Sequence, residues 1–114
     1  EKVFEIKGDR LELRRVMNNL IGNAIKFTDR GQVEVSLSQE TSRILVQVAD
    51  SGIGISPEDQ KAVFQRYHQG NHRRAGKGLG LYLCQQIINA HQGELKVQSQ
   101  LGKGTTFTVS LPQA

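Results

Sequence analysis

The sequence predicts an α+β fold in two layers: a mixed, mostly antiparallel five-stranded sheet with three helices on one face. Three observations predict it. Apolar residues recur at helical spacing from Leu13 to Ile25, they alternate with polar residues in runs around 33–37, 44–48 and 94–111, and 114 residues is the length of one domain. Residues 1–114 are therefore read as a single domain, and the absence of an initiating Met or leader suggests one excised from a larger protein.

The elements follow in order. Val3-Phe4-Glu5-Ile6-Lys7 partly alternates and stops at Gly8, as a short strand does. Asp9 followed by Glu12 has the form of a capping box, and Leu13, Val16, Met17, Leu20, Ala24 and Ile25 mark an amphipathic helix to about Thr28. After Asp29-Arg30-Gly31, the alternation Val33, Val35, Leu37 and then Ile44, Val46, Val48 gives an antiparallel hairpin with one buried face. Pro57 stands at the first position of a short helix running to about Tyr67. Residues 68–80 lose periodicity and become polar, basic and glycine-punctuated, which predicts a loop. A third helix spans Leu79 to His91 with Leu83, Ile87 and Ile88 inward and Gly93 as its stop. Strands Glu94–Ser99 and Thr105–Leu111 close the chain.

Composition excludes several classes. A single cysteine, Cys84, can form neither an intramolecular disulfide nor a metal cluster, which fits a reducing compartment or an indifferent one. No stretch approaches the ~18 apolar residues of a membrane span. The net charge of +4 is mild and its acids are dispersed, and the one basic knot, Arg73, Arg74 and Lys77, lacks interleaved aromatics. An anionic small ligand suits that knot better than nucleic acid.

Glycine is the outlier, 12 residues of 114, and seven of them fall in Gly52/Gly54, Gly76/Gly78/Gly80 and Gly102/Gly104. Such clusters make turns, and they also let backbone N–H groups approach an anion. Two phosphate cradles are excluded. Five residues separate Gly70 from Gly76 and Lys77 precedes Gly78, against a Walker loop, while Pro57 replaces the third glycine of a dinucleotide fingerprint. Arg15, Asn19, Asn23 and Lys26, spaced four, four and three apart, form a polar stripe on the first helix beside Gly22. Paired Asn with Lys offers neutral oxygens for a hard cation and a charge for phosphate.

With those motifs in view, the chain resembles the catalytic ATP-binding domain of sensor histidine kinases, in the superfamily of gyrase, chaperone and mismatch-repair ATPases with the Bergerat fold. Residues 19–28 (NLIGNAIKFT) look like its N box, residues 50–55 (DSGIGI) like its first glycine box, and Phe64 to Tyr67 like its F box. Residues 76–81 (GKGLGL) and 102–107 (GKGTTF) look like the later glycine boxes. Departures are few: Gln65-Arg66 precede Tyr67 where an acid and proline are common, the segment between Gly70 and Gly76 is short, and Lys77 replaces a small hydroxyl residue.

The resemblance implies ATP and Mg²⁺ as cofactors. Asn23 would coordinate Mg²⁺, with Asn19 supporting the phosphates or the metal shell, Lys26 meeting a phosphate and Phe27 lying against adenine. Asp50 would accept a hydrogen bond from the adenine amino group, with Thr105 or Thr106 completing the contact. Gly52, Gly54 and Ile55 would pass close to the base, beside Tyr67. Arg73, Arg74, Gly76, Lys77, Gly78, Leu79, Gly80 and Leu81 would form a lid over the phosphates. His68, His72 and His91 lie outside the helical His-acid pattern of a phosphoacceptor.

Hydrolytic relatives carry a glutamate one turn before the magnesium asparagine; here that position is Asn19, which cannot take a proton. This favours transfer over hydrolysis. The implied reaction donates the γ-phosphate to a histidine on a separate dimeric helical domain of the same protein, ahead of a response regulator receiver domain. The isolated domain is expected to be a cytoplasmic monomer with little turnover, without nucleic-acid or membrane contact of its own. Alternatives are an anti-sigma-type serine kinase and a nucleotide-sensing interaction module.

Overall fold

A computed structural model of the chain describes residues 6, 8–26, 28, 31–62, 64 and 80–113. Within them lie α1 (Arg10–Lys26), β1 (Val33–Glu40), β2 (Arg43–Asp50), α2 (Pro57–Ala62), α3 (Gly80–Ala90), β3 (Glu94–Gln100) and β4 (Gly104–Pro112). The sheet runs β1-β2-β4-β3, and every neighbouring pair is antiparallel. Two expectations are corrected. Among the described residues the sheet has four strands, not five, and it is antiparallel rather than mixed. The strand expected at 3–7 falls almost wholly outside the described residues. For two of the three pairs the direction follows from turn length: Thr41-Ser42 and Leu101-Gly102-Lys103 join β1 to β2 and β3 to β4, and connections so short can only reverse a strand.

The first helix starts where its cap dictates. Asp9 Oδ1 accepts the N–H groups of Leu11 (2.9 Å) and Glu12 (3.0 Å), satisfying two donors that lack intrahelical partners. The N–H of Asp9 donates to His91 Nε2 at 2.9 Å, so an imidazole from the far end of the chain holds the position a capping-box glutamate would serve. Since His91 Nδ1 lies 2.8 Å from the carbonyl of Ile87, the ring is fixed as the Nδ1–H tautomer and ties the start of α1 to the end of α3.

The third helix differs from expectation in two respects. Cys84 and Ile88 are buried, whereas Leu83 is 41% exposed. With Leu81 and Ile87 also on the core, the inward face is set by positions 81, 84, 87 and 88, and Leu83 lies one residue off it. The helix ends in a Schellman motif: Gly93 N–H donates to Ile88 O (2.9 Å) and Gln92 N–H to Asn89 O (3.0 Å). The left-handed residue is Gln92 (φ 62°), not the glycine. Gly93 is needed for space, because a Cβ there would meet Ser110 O at 2.5 Å and the side chains of Leu111 and Ile88.

The second helix is capped by Ser56, whose Oγ accepts the N–H of Asp59 at 3.1 Å, with Pro57 at its first position. It ends sooner than expected: Phe64 already lies in a turn, and 65–67 fall outside the described residues. Phe64 packs edge-on against Phe107 with ring centroids 6.3 Å apart.

One face of the sheet carries the core. Ile44 and Val48 from β2, Leu95 from β3 and Phe107, Val109 and Leu111 from β4 are buried, as are Val16, Leu20 and Ala24 from α1. Register places Val48 opposite Phe107 and Leu95 opposite Val109, so this face is one continuous apolar surface beneath α1 and α3. The opposite face is polar, with Gln47 Nε2 donating to Thr108 Oγ1 and Arg43 Nε to Ser110 Oγ.

Candidate nucleotide site

Each of the three adjacent strands β2, β4 and β3 ends its apolar stripe in a polar residue. Along β2 the core face reads Ile44, Val46, Val48, Asp50; along β4, Leu111, Val109, Phe107, Thr105; along β3, Leu95, Val97, Ser99. Pairing aligns those ends, Asp50 opposite Thr105 and Thr105 opposite Ser99, in a polar row across the sheet at one end of the core.

Asp50 is half-buried at the exit of β2. Its Oδ1 accepts the N–H of Gly52 at 2.9 Å. Burial raises its carboxyl above the ordinary value, against the opposing pull of hydrogen bonds from the backbone N–H groups of Gly52 and Thr105. Thr105 is buried, 6% exposed, and its Oγ1 lies 2.7 Å from Ser99 Oγ. Thr106 stands opposite Ala49 and Gln98 on the other face of the sheet. Of the two threonines, therefore, only Thr105 shares a face with Asp50.

The loop after β2 is held against the β3–β4 turn by backbone contact. Gly102 N–H donates to Ile53 O at 2.8 Å, and Ile55 N–H donates to Ser99 Oγ at 2.7 Å. Gln60 Nε2 spans from Ile55 O (2.8 Å) to Ser99 O (2.9 Å). A Cβ on Gly54 (φ +76°) would lie 2.2 Å from Gln100 O, and one on Gly104 (φ +129°) 2.0 Å from Asp50 O. Close approach of chain to chain thus requires both glycines. Ile55 is half-buried and packs against the core, its backbone groups engaged within the protein.

On α1, Asn19 and Asn23 lie one turn apart and half-buried, and Lys26 is exposed in the last turn. Asn19 Nδ2 donates to Arg15 O at 3.0 Å, which orients the amide and leaves its oxygen out of that bond. Among the described residues no three His, Cys, Asp or Glu gather as a metal site, so a cation here would rely on amide oxygens and on ligand oxygens. Gly80 opens α3, and Leu81 packs on the core. Phe27, Tyr67, Arg73, Arg74, Gly76, Lys77, Gly78 and Leu79 lie outside the described residues, as do His68 and His72.

Residues 8–114 match the family described as histidine kinase-, DNA gyrase B- and HSP90-like ATPase. The chain belongs to this family. Within the ATPase family its relatives are sensor kinases: sensor histidine kinase RppB of Synechocystis sp. is 41% identical over 92% of the chain, and sensor protein EvgS of Escherichia coli 38% over 96%. These matches cover 24% and 10% of the two relatives, so the chain spans a quarter or less of their length. Among solved structures, full-length ShkA in complex with AMPPNP superposes with a TM-score of 0.87 at 33% identity, covering 98% of the chain and 24% of ShkA. The mycobacterial sensor histidine kinase MprB gives 0.87 at 30% identity, covering 95% of the chain and 76% of that structure. The α+β fold with its antiparallel sheet is that of histidine kinase catalytic domains.

In this ATPase-family chain, sequence reasoning missed Ser99 and Gln60, which organise the site from behind. The signal for Ser99 was present. It is the polar residue that interrupts the alternation Leu95, Val97, as Asp50 interrupts the one before it.

Proposed function

We propose that the chain binds ATP with Mg²⁺ and donates the γ-phosphate to a histidine on a separate helical domain of the same protein, in two-component signalling with a response regulator. The observation that carries the reading is the half-buried Asp50 beside Thr105, at the start of a loop that hydrogen bonds hold against the β3–β4 turn. A carboxylate and a hydroxyl aligned at the edge of an apolar core suit a flat heterocycle with an exocyclic amino group. Asp50 would accept from that amino group, and a carbonyl at the same place would face a negative charge.

The residues present fit the metal as well. Mg²⁺ commonly takes one or two protein oxygens and completes its shell with water and phosphate, and Asn19 and Asn23 offer amide oxygens without adding charge. When bound, the ion would neutralise charge on the phosphates. Asn23 would hold it, Asn19 would orient the phosphates or the metal shell, and Lys26 would meet a phosphate. The first-turn N–H groups of α3 lie at the end of the glycine-rich 76–80 segment, where a helix terminus favours an anion. Because the Asn19 amide cannot accept a proton from water, that position favours transfer to a nucleophile brought from elsewhere over hydrolysis, and the role left to these residues is positioning and charge neutralisation.

Titration calorimetry tests the reading. ATP should bind only weakly without Mg²⁺, and GTP less well than ATP. Equal affinity for the two purines would refute the assignment of Asp50. Phosphorylation of an added helical acceptor domain, acid-labile and base-stable, would identify the transfer; its absence with ATP binding intact would favour a nucleotide-sensing module.

A further inference from the structure

We infer that Ser99 is a positioning residue for base selection: it takes the hydroxyl proton of Thr105, so that Thr105 faces the nucleotide site as a hydrogen-bond acceptor only. The inference rests on the proposed ATP reading and deepens it.

The available protons fix the direction of each bond. Ser99 Oγ has three neighbours: Ile55 N at 2.7 Å, Gly104 O at 2.9 Å and Thr105 Oγ1 at 2.7 Å. The Ile55 N–H can only donate, so Ser99 accepts there. The Gly104 carbonyl can only accept, so the single proton of Ser99 goes to it. The third contact is then satisfied in one way, by Thr105 donating to Ser99. Were the Ser99 proton turned toward Thr105 instead, two oxygens, Ser99 Oγ and Gly104 O, would face each other at 2.9 Å with no hydrogen between them.

The arrangement is rigidly held. Ser99 and Gly104 flank the β3–β4 turn, Gln60 Nε2 pins the carbonyls of Ile55 and Ser99, and Gly104 is packed against Asp50 O. With its proton committed to Ser99, Thr105 keeps only lone pairs on the side away from it. Its other cross-strand neighbour is Asp50, an acceptor in its ionised form. Two adjacent groups that can only accept select a ligand edge that donates, such as an amino group or a water bridging to a ring nitrogen. They disfavour a carbonyl. Base choice is therefore set partly by a serine on the side of Thr105 away from Asp50.

The experiment compares ATP with ITP, which differs in carrying a carbonyl in place of the amino group. Wild type should prefer ATP. Ser99→Ala releases the Thr105 proton toward the ligand side, and the ATP-over-ITP affinity ratio should fall about 3- to 10-fold, the worth of one redirected hydrogen bond. Ser99→Thr restores the hydroxyl and should restore the ratio. In a Thr105→Val background, Ser99→Ala should leave the ratio unchanged, because the effect runs through Thr105. An unchanged ratio in folded Ser99→Ala, or an equal fall in the Thr105→Val background, overturns the inference. Should Ser99→Ala fail to fold, NMR of the wild-type chain decides: the Thr105 hydroxyl proton should exchange slowly and show a contact to the Ser99 β-protons, and a proton directed at Asp50 overturns the inference. If wild type does not prefer ATP, or Asp50→Asn keeps that preference, the ATP reading itself has failed, which is a separate result.

Discussion

Asp50 is harder to ionise in the folded chain than in the unfolded one. Burial raises its pKa above the ordinary carboxylate value, so the folded chain binds a proton here more tightly than the unfolded chain does. The stabilisation from protonation is present below the unfolded pKa and is lost as pH rises through the folded one. Asp50→Asn keeps an acceptor for Gly52 N–H and removes the charge. At pH 7 that variant should melt no lower than wild type while ATP affinity falls at least about tenfold, the effect of losing one charged buried hydrogen bond. Calorimetric melting beside nucleotide titration checks both, and a variant that melts well below wild type would mean that Asp50 is structural. Asn23→Ala should in turn lower ATP affinity in Mg²⁺ and leave the metal-free affinity unchanged; an equal loss in both conditions would remove Asn23 from the metal. At this scale a sequence singles out a residue most readily where its motif is contiguous. Asp50 sits in a run of six recognisable residues, whereas Ser99 becomes meaningful only when β3, β4 and β2 are aligned. Simple alternation along β4 would have separated Thr105 from Thr106, since neighbours on a strand point to opposite faces.

Helix ends are where elements were hardest to read. The first cap at Asp9 was legible because side-chain capping is local in sequence, and Asp9→Ala should cost about 1 kcal/mol in chemical denaturation. The second contact of that cap was not legible, because its partner His91 is 82 residues away. The end of α3 is similar. Glycine at 93 suggested the left-handed cap, yet the left-handed residue is Gln92, and what excludes a side chain at 93 is the Ser110 carbonyl on β4. Neighbouring substitutions should therefore have opposite signs. Gln92→Gly relieves a positive φ and should stabilise by roughly 0.5–1 kcal/mol. Gly93→Ala inserts a Cβ against backbone and should destabilise by more than that. Stability measured by denaturant midpoint decides, and a destabilised Gln92→Gly would show that its side chain, not its φ, matters.

Across the molecule, the helix layer and the sheet meet over a core in which the only cysteine provides a probe of opening. Cys84 is 1% exposed, its Sγ donates to Val16 O across the α1–α3 contact at 3.9 Å, and burial pushes its pKa up to about 11. The reactive species is the thiolate. At pH 8 the native thiol is therefore both inaccessible and, by roughly a thousandfold, protonated, so labelling by a maleimide requires the helices to part. Its rate should report the population of the open state. Leu20→Ala, removing a fully buried side chain from α1, should destabilise by about 2–5 kcal/mol and speed labelling accordingly. ATP with Mg²⁺ should act in the opposite sense, because a ligand that binds only the closed form suppresses opening by a factor of one plus the ratio of its free concentration to its Kd. At a concentration 100 times the dissociation constant, labelling should slow about 100-fold. The Asp50→Asn variant should lose most of that protection at the same nucleotide concentration while labelling in the absence of ATP no faster than wild type. Protection by ATP that survives this substitution unchanged would place the nucleotide somewhere other than the polar row at the end of the core.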